Sequence, residues 1–371
     1  MSKLHTLLVT GGHPTPALAV IDALRVHRPR TRIVFVGRRT ANEKEKSQTY
    51  EYQEISQRGL EFIHSTAKRG DRGLLELPYQ IIKNIFLLNT VRPNAVLSFG
   101  GYISVPVCIA AYLLRIPFFL HEQTLQPGSA NIRLARFACG VMVSYPQTMH
   151  HFKHAHVVCT GNPIRQSFRN HSSGKNVFSH LASPIIFILG GNLGSHAINM
   201  HVFNLLPKLL TDFSVIHQVG NIKQYNDWDR AMQHHVGLSP ELARKYLPIE
   251  HLNSHDISQA YQVADLVVSR SGASTTTELI ARKKPAVLIP LPWSAYGEQK
   301  KHALLLADAH AAIIFDQDKP SDELFACIQT MHKNVQSYSN AYDSIAHFYD
   351  PQATQKIIRT LEKALVTGCN V

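Results

Sequence analysis

Short apolar runs recur along the chain, each followed by a polar or glycine-bearing turn and then by a longer stretch whose apolar positions have helical spacing. Leu7–Val9, Ile33–Val36, Ala95–Ser98, Pro117–Leu120 and Val141–Ser144 read as strands, with helices at about 16–26, 104–114 and 129–137 among them. Near-continuous apolar runs are what parallel strands show when helices cover both faces of a sheet. The rhythm therefore predicts βαβ units and a doubly wound sheet. A polar stretch over 171–183 interrupts it, and Ile185–Leu189 opens a second series continued by Phe213–Ile216, Leu266–Val268, Ala286–Ile289 and Ala312–Ile314. Two Rossmann-like α/β domains are expected, over 1–165 and 166–349, with a helix at about 350–371 packing back on the first.

In open parallel sheets ligands collect beyond the carboxyl ends of the strands. Three glycine turns in those positions carry the candidate chemistry. Thr10-Gly11-Gly12-His13 follows the first strand; its glycines allow close backbone approach, the following helix start suits an anion, and His13 can take a proton near neutral pH. Gly190-Gly191-Asn192-Leu193-Gly194-Ser195 repeats the arrangement in the second half, and its spacing departs from the G-x-G-x-x-G of dinucleotide enzymes. Arg270-Ser271-Gly272-Ala273-Ser274-Thr275, after Leu266–Val268, joins a fixed cation to a small-residue helix start suited to a diphosphate, with Glu278 placed to grip vicinal hydroxyls. A tight turn with an incidental histidine and an ordinary Ser/Thr cap are the plain alternatives at these places.

Charge and composition narrow the partners. The 371 residues carry 38 Lys+Arg against 26 Asp+Glu, a formal charge of +12, so anionic partners are favoured. No basic run is interleaved with aromatic residues and no zinc-finger spacing occurs, which lowers nucleic acid against phosphate or a membrane surface. Five scattered cysteines, Cys108, Cys139, Cys159, Cys327 and Cys369, are expected to be reduced. The N-terminus leads straight into an apolar strand, which reads as cytoplasmic. Asp227-Trp228-Asp229 imitates a metal-binding DxD and is expected to be a solvated helix start.

The set as a whole resembles the MurG family of N-acetylglucosaminyltransferases over most of its length. The resemblance rests on Thr10-Gly11-Gly12-His13 with Pro16-Ala17-Leu18-Ala19, Phe99-Gly100-Gly101-Tyr102 with Pro106, His121-Glu122-Gln123 with Pro127-Gly128, Gly161-Asn162-Pro163-Ile164-Arg165, Gly190-Gly191, His217-Gln218, and Ala264-Asp265 through Glu278. It implies a GT-B fold of two Rossmann-like domains facing a central cleft. It also implies inverting transfer of GlcNAc from UDP-GlcNAc to the C4 hydroxyl of MurNAc in undecaprenyl-diphospho-MurNAc-pentapeptide, lipid I, making lipid II on the cytoplasmic face of the bacterial plasma membrane. His13 would be the base. Gly11 and Gly12, with the Gly100-Gly101 turn, would face the acceptor diphosphate, and Thr10 and Tyr102 would also bind the acceptor. Arg270, Ser271, Gly272, Ala273, Ser274 and Thr275 would hold the departing UDP, with Glu278 on the ribose, Gln299 on the GlcNAc hydroxyls, and Thr124, Arg165, Gly191, Asn192 and Glu298 as further donor contacts. Neither a metal nor a cofactor is implied; an anionic membrane surface and other cell-wall assembly proteins are the implied partners.

Several positions depart from the family pattern. Leu8-Val9 stands for two glycines, Thr124 for Asn, Asn192 for Ser, Glu298 for a residue that is often His, and Leu252–Asp256 lacks the apolar pair that packs on uracil. A relative with another lipid or small-molecule acceptor, and a non-catalytic nucleotide-sugar-binding scaffold, stay open on these grounds. Residues 67–92 combine Lys68, Arg69 and Arg72 with Leu74, Leu75, Leu77, Ile81, Ile82, Ile85, Phe86, Leu87 and Leu88. That mixture suits an interfacial helix beside anionic lipid as well as a core-packed helix after a basic loop.

Overall fold

The computed structural model describes residues 4–40, 48–68, 70–153, 155–168, 176–191, 193–220, 222 and 224–368. The chain forms two compact units, residues 1–166 with 350–371 and residues 167–349.

The first unit is built on a parallel sheet of β1 (Thr6–Thr10), β2 (Arg32–Gly37), β3 (Glu61–His64), β4 (Ala95–Ser98), β5 (Phe118–Glu122), β6 (Gly140–Val143) and β7 (Val157–Cys159), in the order β3-β2-β1-β4-β5-β6-β7. Alternation along a strand sends neighbouring side chains to opposite faces. Leu7 and Val9 of β1 therefore join one core with Leu18, Ile21 and Leu24 of the helix Pro14–His27, while Leu8 joins the other with Val34, Val96 and Val107. The helix Ala353–Thr367 closes the first core through Ile357, Ile358 and Leu361, and Arg28 pairs with its Glu362 at 2.7 Å. Gly161 sits against this return: its φ is +81°, and a Cβ there would lie 2.9 Å from the Cβ of Asp350.

The second unit carries β8 (Ile185–Leu189), β9 (Ser214–Gln218), β10 (Tyr246–Ile249), β11 (Leu266–Ser269), β12 (Ala286–Leu288) and β13 (Ala312–Ile314), all parallel, in the order β10-β9-β8-β11-β12-β13. β8 and β11 lie at its centre. Ile186, Ile188, Leu266 and Val268 pack with Ile198, Val202, Leu205 and Leu209 of the helix His196–Asp212.

The sequence pattern leaves out β3, β7 and β10. Each is only partly buried, and β10 contains Pro248. All three lie at sheet edges, where one face and one ladder are open and the apolar signal weakens. The segment 71–91 divides its apolar residues. In the helix Leu77–Val91, Leu88 is buried and Ile81, Ile85 and Leu87 pack on the core, whereas Leu75 is 82% and Phe86 69% exposed, with Leu74, Tyr79 and Ile82 also turned outward. Arg69 lies outside the described residues. Cys108, Cys159 and Cys327 are free thiols; Cys139 is disulfide-bonded, against the expectation of reduced cysteines throughout, and Cys369 lies outside the described residues.

Candidate active site

Two sets of glycine turns, one in each unit, hold most of the residues singled out by sequence. In the first unit, Gly11 has φ +143°, and a Cβ on it would come within 2.9 Å of the Phe99 backbone, so the turns after β1 and β4 close on each other only with glycine here. The Gly12 amide donates to the Gly100 carbonyl at 3.0 Å. Gly101, at φ +82°, leaves its Cβ position 3.2 Å from the Gly12 nitrogen. Thr10 is turned inward, its hydroxyl donating to the Val36 carbonyl at 3.1 Å, so it anchors the strand end instead of facing the open side of the turn. Tyr102 is reached by Arg38, whose Nη1 donates to the phenol oxygen at 3.0 Å.

His13 is the residue before the helix Pro14–His27 and makes no capping bond with its side chain, which leaves the half-buried imidazole available. Burial lowers its pKa from 6.5, and the charge of Glu122 pulls in the opposite direction. A neutral imidazole with a carboxylate in its field is the state a general base requires.

Glu122, at the end of β5, is buried and held on both oxygens. Oε1 accepts from the Thr124 amide at 3.1 Å and its hydroxyl at 2.7 Å; Oε2 accepts from the Gly128 amide and from Asn131 Nδ2, each at 2.9 Å. Thr124 is thereby tied into its own loop, with Gln126 also within reach of its hydroxyl, and that hydroxyl is not turned toward a ligand. Sequence reading quoted Glu122 for the resemblance and gave it no role; a charged residue ending a buried strand is the signal that could have found it. His121 beside it is held neutral, its pKa lowered by burial to about 4. Because a carbonyl only accepts, the 3.3 Å contact to Gly161 fixes the proton on Nε2, and Nδ1 is left as a buried acceptor without a partner. Arg165 is buried at the end of this unit.

In the second unit the turn after β8 is locked by backbone contacts. A Cβ on Gly190 would lie 2.2 Å from the Ser195 nitrogen, and one on Gly194, at φ +81°, 2.1 Å from the Val219 carbonyl. Gln218 Nε2 donates to the Gly191 carbonyl at 2.8 Å. Asn192 lies outside the described residues.

Arg270, after β11, is buried, and its guanidinium donates to the Ile289 carbonyl at 3.0 Å and to the Ser195 hydroxyl at 2.8 Å. Burial lowers its pKa to about 10, and no ion pair offsets the charge among the described residues. A buried cation held only by neutral acceptors favours an arriving anion. Ser195 was not foreseen as a partner of Arg270, since hydroxyls at helix starts ordinarily read as caps. Ser271 donates its hydroxyl to the Gln299 carbonyl at 2.8 Å, and Gln299 Oε1 accepts from the Leu291 amide at 3.0 Å, so the turn after β11 and the 290–299 loop are braced together. The helix Ala273–Arg282 starts at Gly272, with Ser274 and Thr275 half-buried in its first turn. Glu278 is buried one turn further on, and Glu298 is half-buried at the start of Glu298–Asp308.

One expectation needs correcting. Asp227 is 3% exposed, not solvated: it accepts from His196 Nδ1 at 2.8 Å and from Asn199 Nδ2 at 2.8 Å. Only Asp229 of the DxD lookalike is exposed. Among the described residues no group of three or more His, Cys, Asp or Glu is placed to hold a metal ion.

Comparison with known proteins gives the family and the fold. Residues 9–143 match the glycosyltransferase family 28 N-terminal domain and residues 185–356 the C-terminal domain of the same family. The UDP-N-acetylglucosamine–N-acetylmuramyl-(pentapeptide) pyrophosphoryl-undecaprenol N-acetylglucosamine transferase of Thermodesulfovibrio yellowstonii is 32% identical over 365 residues, covering 96% of each chain. Its counterpart in Treponema denticola is 33% identical over 314 residues, covering 79% of this chain and 78% of its own. The crystal structure of MurG from Acinetobacter baumannii superposes with a TM-score of 0.67 at 24% identity, covering 96% of this chain and 99% of that one. The two Rossmann-like sheets are those of a GT-B fold, and the chain belongs to glycosyltransferase family 28, in its MurG branch.

Proposed function

We propose that the protein transfers GlcNAc from UDP-GlcNAc, with inversion, to the C4 hydroxyl of MurNAc in undecaprenyl-diphospho-MurNAc-pentapeptide, converting lipid I to lipid II. The observation that carries this reading is the buried Arg270, without an ion pair among the described residues, beside the start of Ala273–Arg282, together with the uncapped imidazole of His13 in the field of Glu122. His13 takes the proton of the attacking hydroxyl, whose oxygen bonds to the anomeric carbon as the bond to UDP breaks. Negative charge collects on the departing diphosphate, where Arg270 and the first-turn amides of the helix neutralise it. A fixed cation and aligned amides supply what a divalent ion would otherwise supply, so the reaction is read as independent of metal. Ser271 and Gln299 hold the donor loop, and Glu278 faces the ribose.

The outward apolar row of Leu74, Leu75, Tyr79, Ile82 and Phe86, beside Arg72 and Lys83, supports peripheral docking on the cytoplasmic face of an anionic membrane. Among the described residues no helix is long and apolar enough to cross a membrane. The test is UDP release from UDP-GlcNAc with a lipid I analogue, beside UDP-GalNAc, UDP-glucose and a control without acceptor. Acceptor-dependent release with UDP-GlcNAc is expected; silence from folded protein that still binds UDP would sink the reading.

A further inference from the structure

The amino ends of β1 and β2 border an open cavity of about 580 Å³, at the end of the first sheet opposite the glycine turns. Leu4 and His5, which lead into β1, form one side of it. His27, Arg28, Pro29 and Arg30, which carry the chain from the helix Pro14–His27 into β2, form the other. Hydrogen bonds brace this frame. The Thr31 hydroxyl donates to the Leu4 carbonyl at 3.0 Å, the Thr31 amide to the Arg28 carbonyl at 3.0 Å, and the Arg32 amide to the His5 carbonyl at 2.8 Å. Leu4 is buried at the base, whereas His5 and residues 25–30 are exposed.

Positive charge is left over at this pole. Glu362 is engaged by Arg28, Glu61 by Arg32 and Asp22 by Arg58, each at 2.7 Å. Arg25 and Arg30 form no ion pair among the described residues, and the rings of His5 and His27 stand exposed beside them. Aliphatic side chains border the same surface. Val26, next to His27, is exposed, and so is Val366. Val366 follows Glu362 by one turn on the same face of the helix Ala353–Thr367, and the Arg28–Glu362 pair holds that face beside the end of Pro14–His27. Exposed aliphatic groups and uncompensated cations around one hollow mark a surface for a partner of opposite charge.

We propose that this pole docks an acidic, aliphatic segment of a partner protein. The carboxylates of the segment meet Arg30, His27 and His5, and its aliphatic side chains fill the hollow over Leu4 and Pro29 and reach Val26 and Val366. Charge decides the class of partner, because a neutral or cationic segment would desolvate Arg30 without a counter-ion or set like charges together. Shape decides between a protein segment and a lipid surface. The aliphatic residues here are short and stand around a hollow, whereas Leu74, Leu75, Tyr79, Ile82 and Phe86 project outward as a row. Ligands of a parallel sheet collect at the carboxyl ends of its strands, so a partner at the amino ends leaves the glycine turns open to substrate.

The experiment titrates the full chain into a fluorescein-labelled octapeptide of alternating Glu and Leu, with a Lys-and-Leu peptide of equal length as the probe of opposite charge. Fluorescence anisotropy is expected to show saturable binding of the acidic peptide and none of the basic one. R30E is expected to weaken that binding about tenfold and V26D several-fold. R244E makes the same charge change at an exposed arginine of the second unit and is expected to alter it less than about twofold. No binding by wild type, equal binding of the two peptides, or an R30E loss no larger than that of R244E overturns the proposal. Phosphatidylglycerol vesicles form a separate arm: loss of flotation in R30E with peptide affinity intact would assign the pole to lipid and also overturn it. Melting temperatures control for folding, and if R30E is unstable, R30Q against R244Q decides by the same comparison.

Discussion

Arg270 Nη2 donates to the Ser195 hydroxyl at 2.8 Å, so one buried guanidinium links the turn after β11 to the turn after β8. Its other bonds, to the carbonyls of Ile289 and Pro290, bring in the end of β12 as well. The cation is thus fixed before any anion arrives, which is the condition under which it stabilises developing charge without reorganising.

Replacing Arg270 by Lys keeps a positive charge and loses the fork that spans these turns. UDP affinity is expected to fall about 10- to 100-fold, as for loss of a charged hydrogen bond in a buried setting. Ser195→Ala removes one neutral acceptor and is expected to cost less than about tenfold. Calorimetric titration of UDP distinguishes the two, and an S195A loss equal to that of R270K would mean that the hydroxyl itself meets the ligand.

The acid limb of kcat/KM tests the base. His13 has its pKa lowered by burial, so the limb should lie below pH 6.5, and activity should persist into mildly acidic buffer. Glu122 raises that pKa, so Glu122→Gln should move the limb to still lower pH while reducing the rate. A limb that moves upward in E122Q would contradict the assignment. His13→Ala should abolish turnover with UDP affinity unchanged.

Much of this architecture is legible in the amino-acid order because buried parallel strands are unbroken apolar runs and the turns at their carboxyl ends need glycine. Gly11 and Gly194 can be read as turn residues; that a Cβ on either would strike the backbone of a second turn cannot, because the partner is distant in sequence. The edge strands β3, β7 and β10 fade because they are only partly buried, whereas the edge strand β13 keeps a short apolar run and stays legible. Glu122 and Ser195 were not singled out because what marks them is their contact with Asn131 and Arg270, which the order of residues does not show. Asp227 was misjudged because its polar flanks suggest solvent, whereas His196 and Asn199 close over its carboxylate.

Glycine positions separate packing from ligand contact. Gly194→Ala must place a Cβ 2.1 Å from the Val219 carbonyl at a φ of +81°, and a loss of about 3 kcal/mol or more is expected in urea unfolding. Gly272 has nothing within 4 Å of its Cβ position and an ordinary φ of −64°, so Gly272→Ala should change stability by less than about 1 kcal/mol. A loss of UDP affinity in G272A at unchanged stability would place the ligand against that helix start.

The outward row offers a test independent of catalysis. Leu75→Asp and Phe86→Asp each remove an exposed apolar side chain, worth roughly 2 kcal/mol or about 30-fold in partitioning if buried in lipid. Binding to phosphatidylglycerol vesicles should fall accordingly in flotation, with the melting temperature unchanged because neither side chain contributes to the core. A marked drop in melting temperature would instead assign these residues to packing.

Acid stability should depend on three buried histidines. His217 is held neutral between Asn199 Oδ1 and the Tyr246 hydroxyl, with its pKa lowered by burial to about 3, and His121 and His302 are lowered to about 4. In the unfolded chain each titrates near 6.5, so below that pH the unfolded state binds more protons than the folded one. Their contribution is complete above pH 6.5 and is lost as the pH falls toward about 4 for His121 and His302, and toward about 3 for His217. The slope approaches about 1.4 kcal/mol per pH unit for each histidine inside its window. Urea midpoints measured from pH 7 to pH 4 should fall steeply, and His217→Gln, though less stable at pH 7, should fall less steeply. An equal slope in H217Q would show that His217 does not carry its share of this proton uptake.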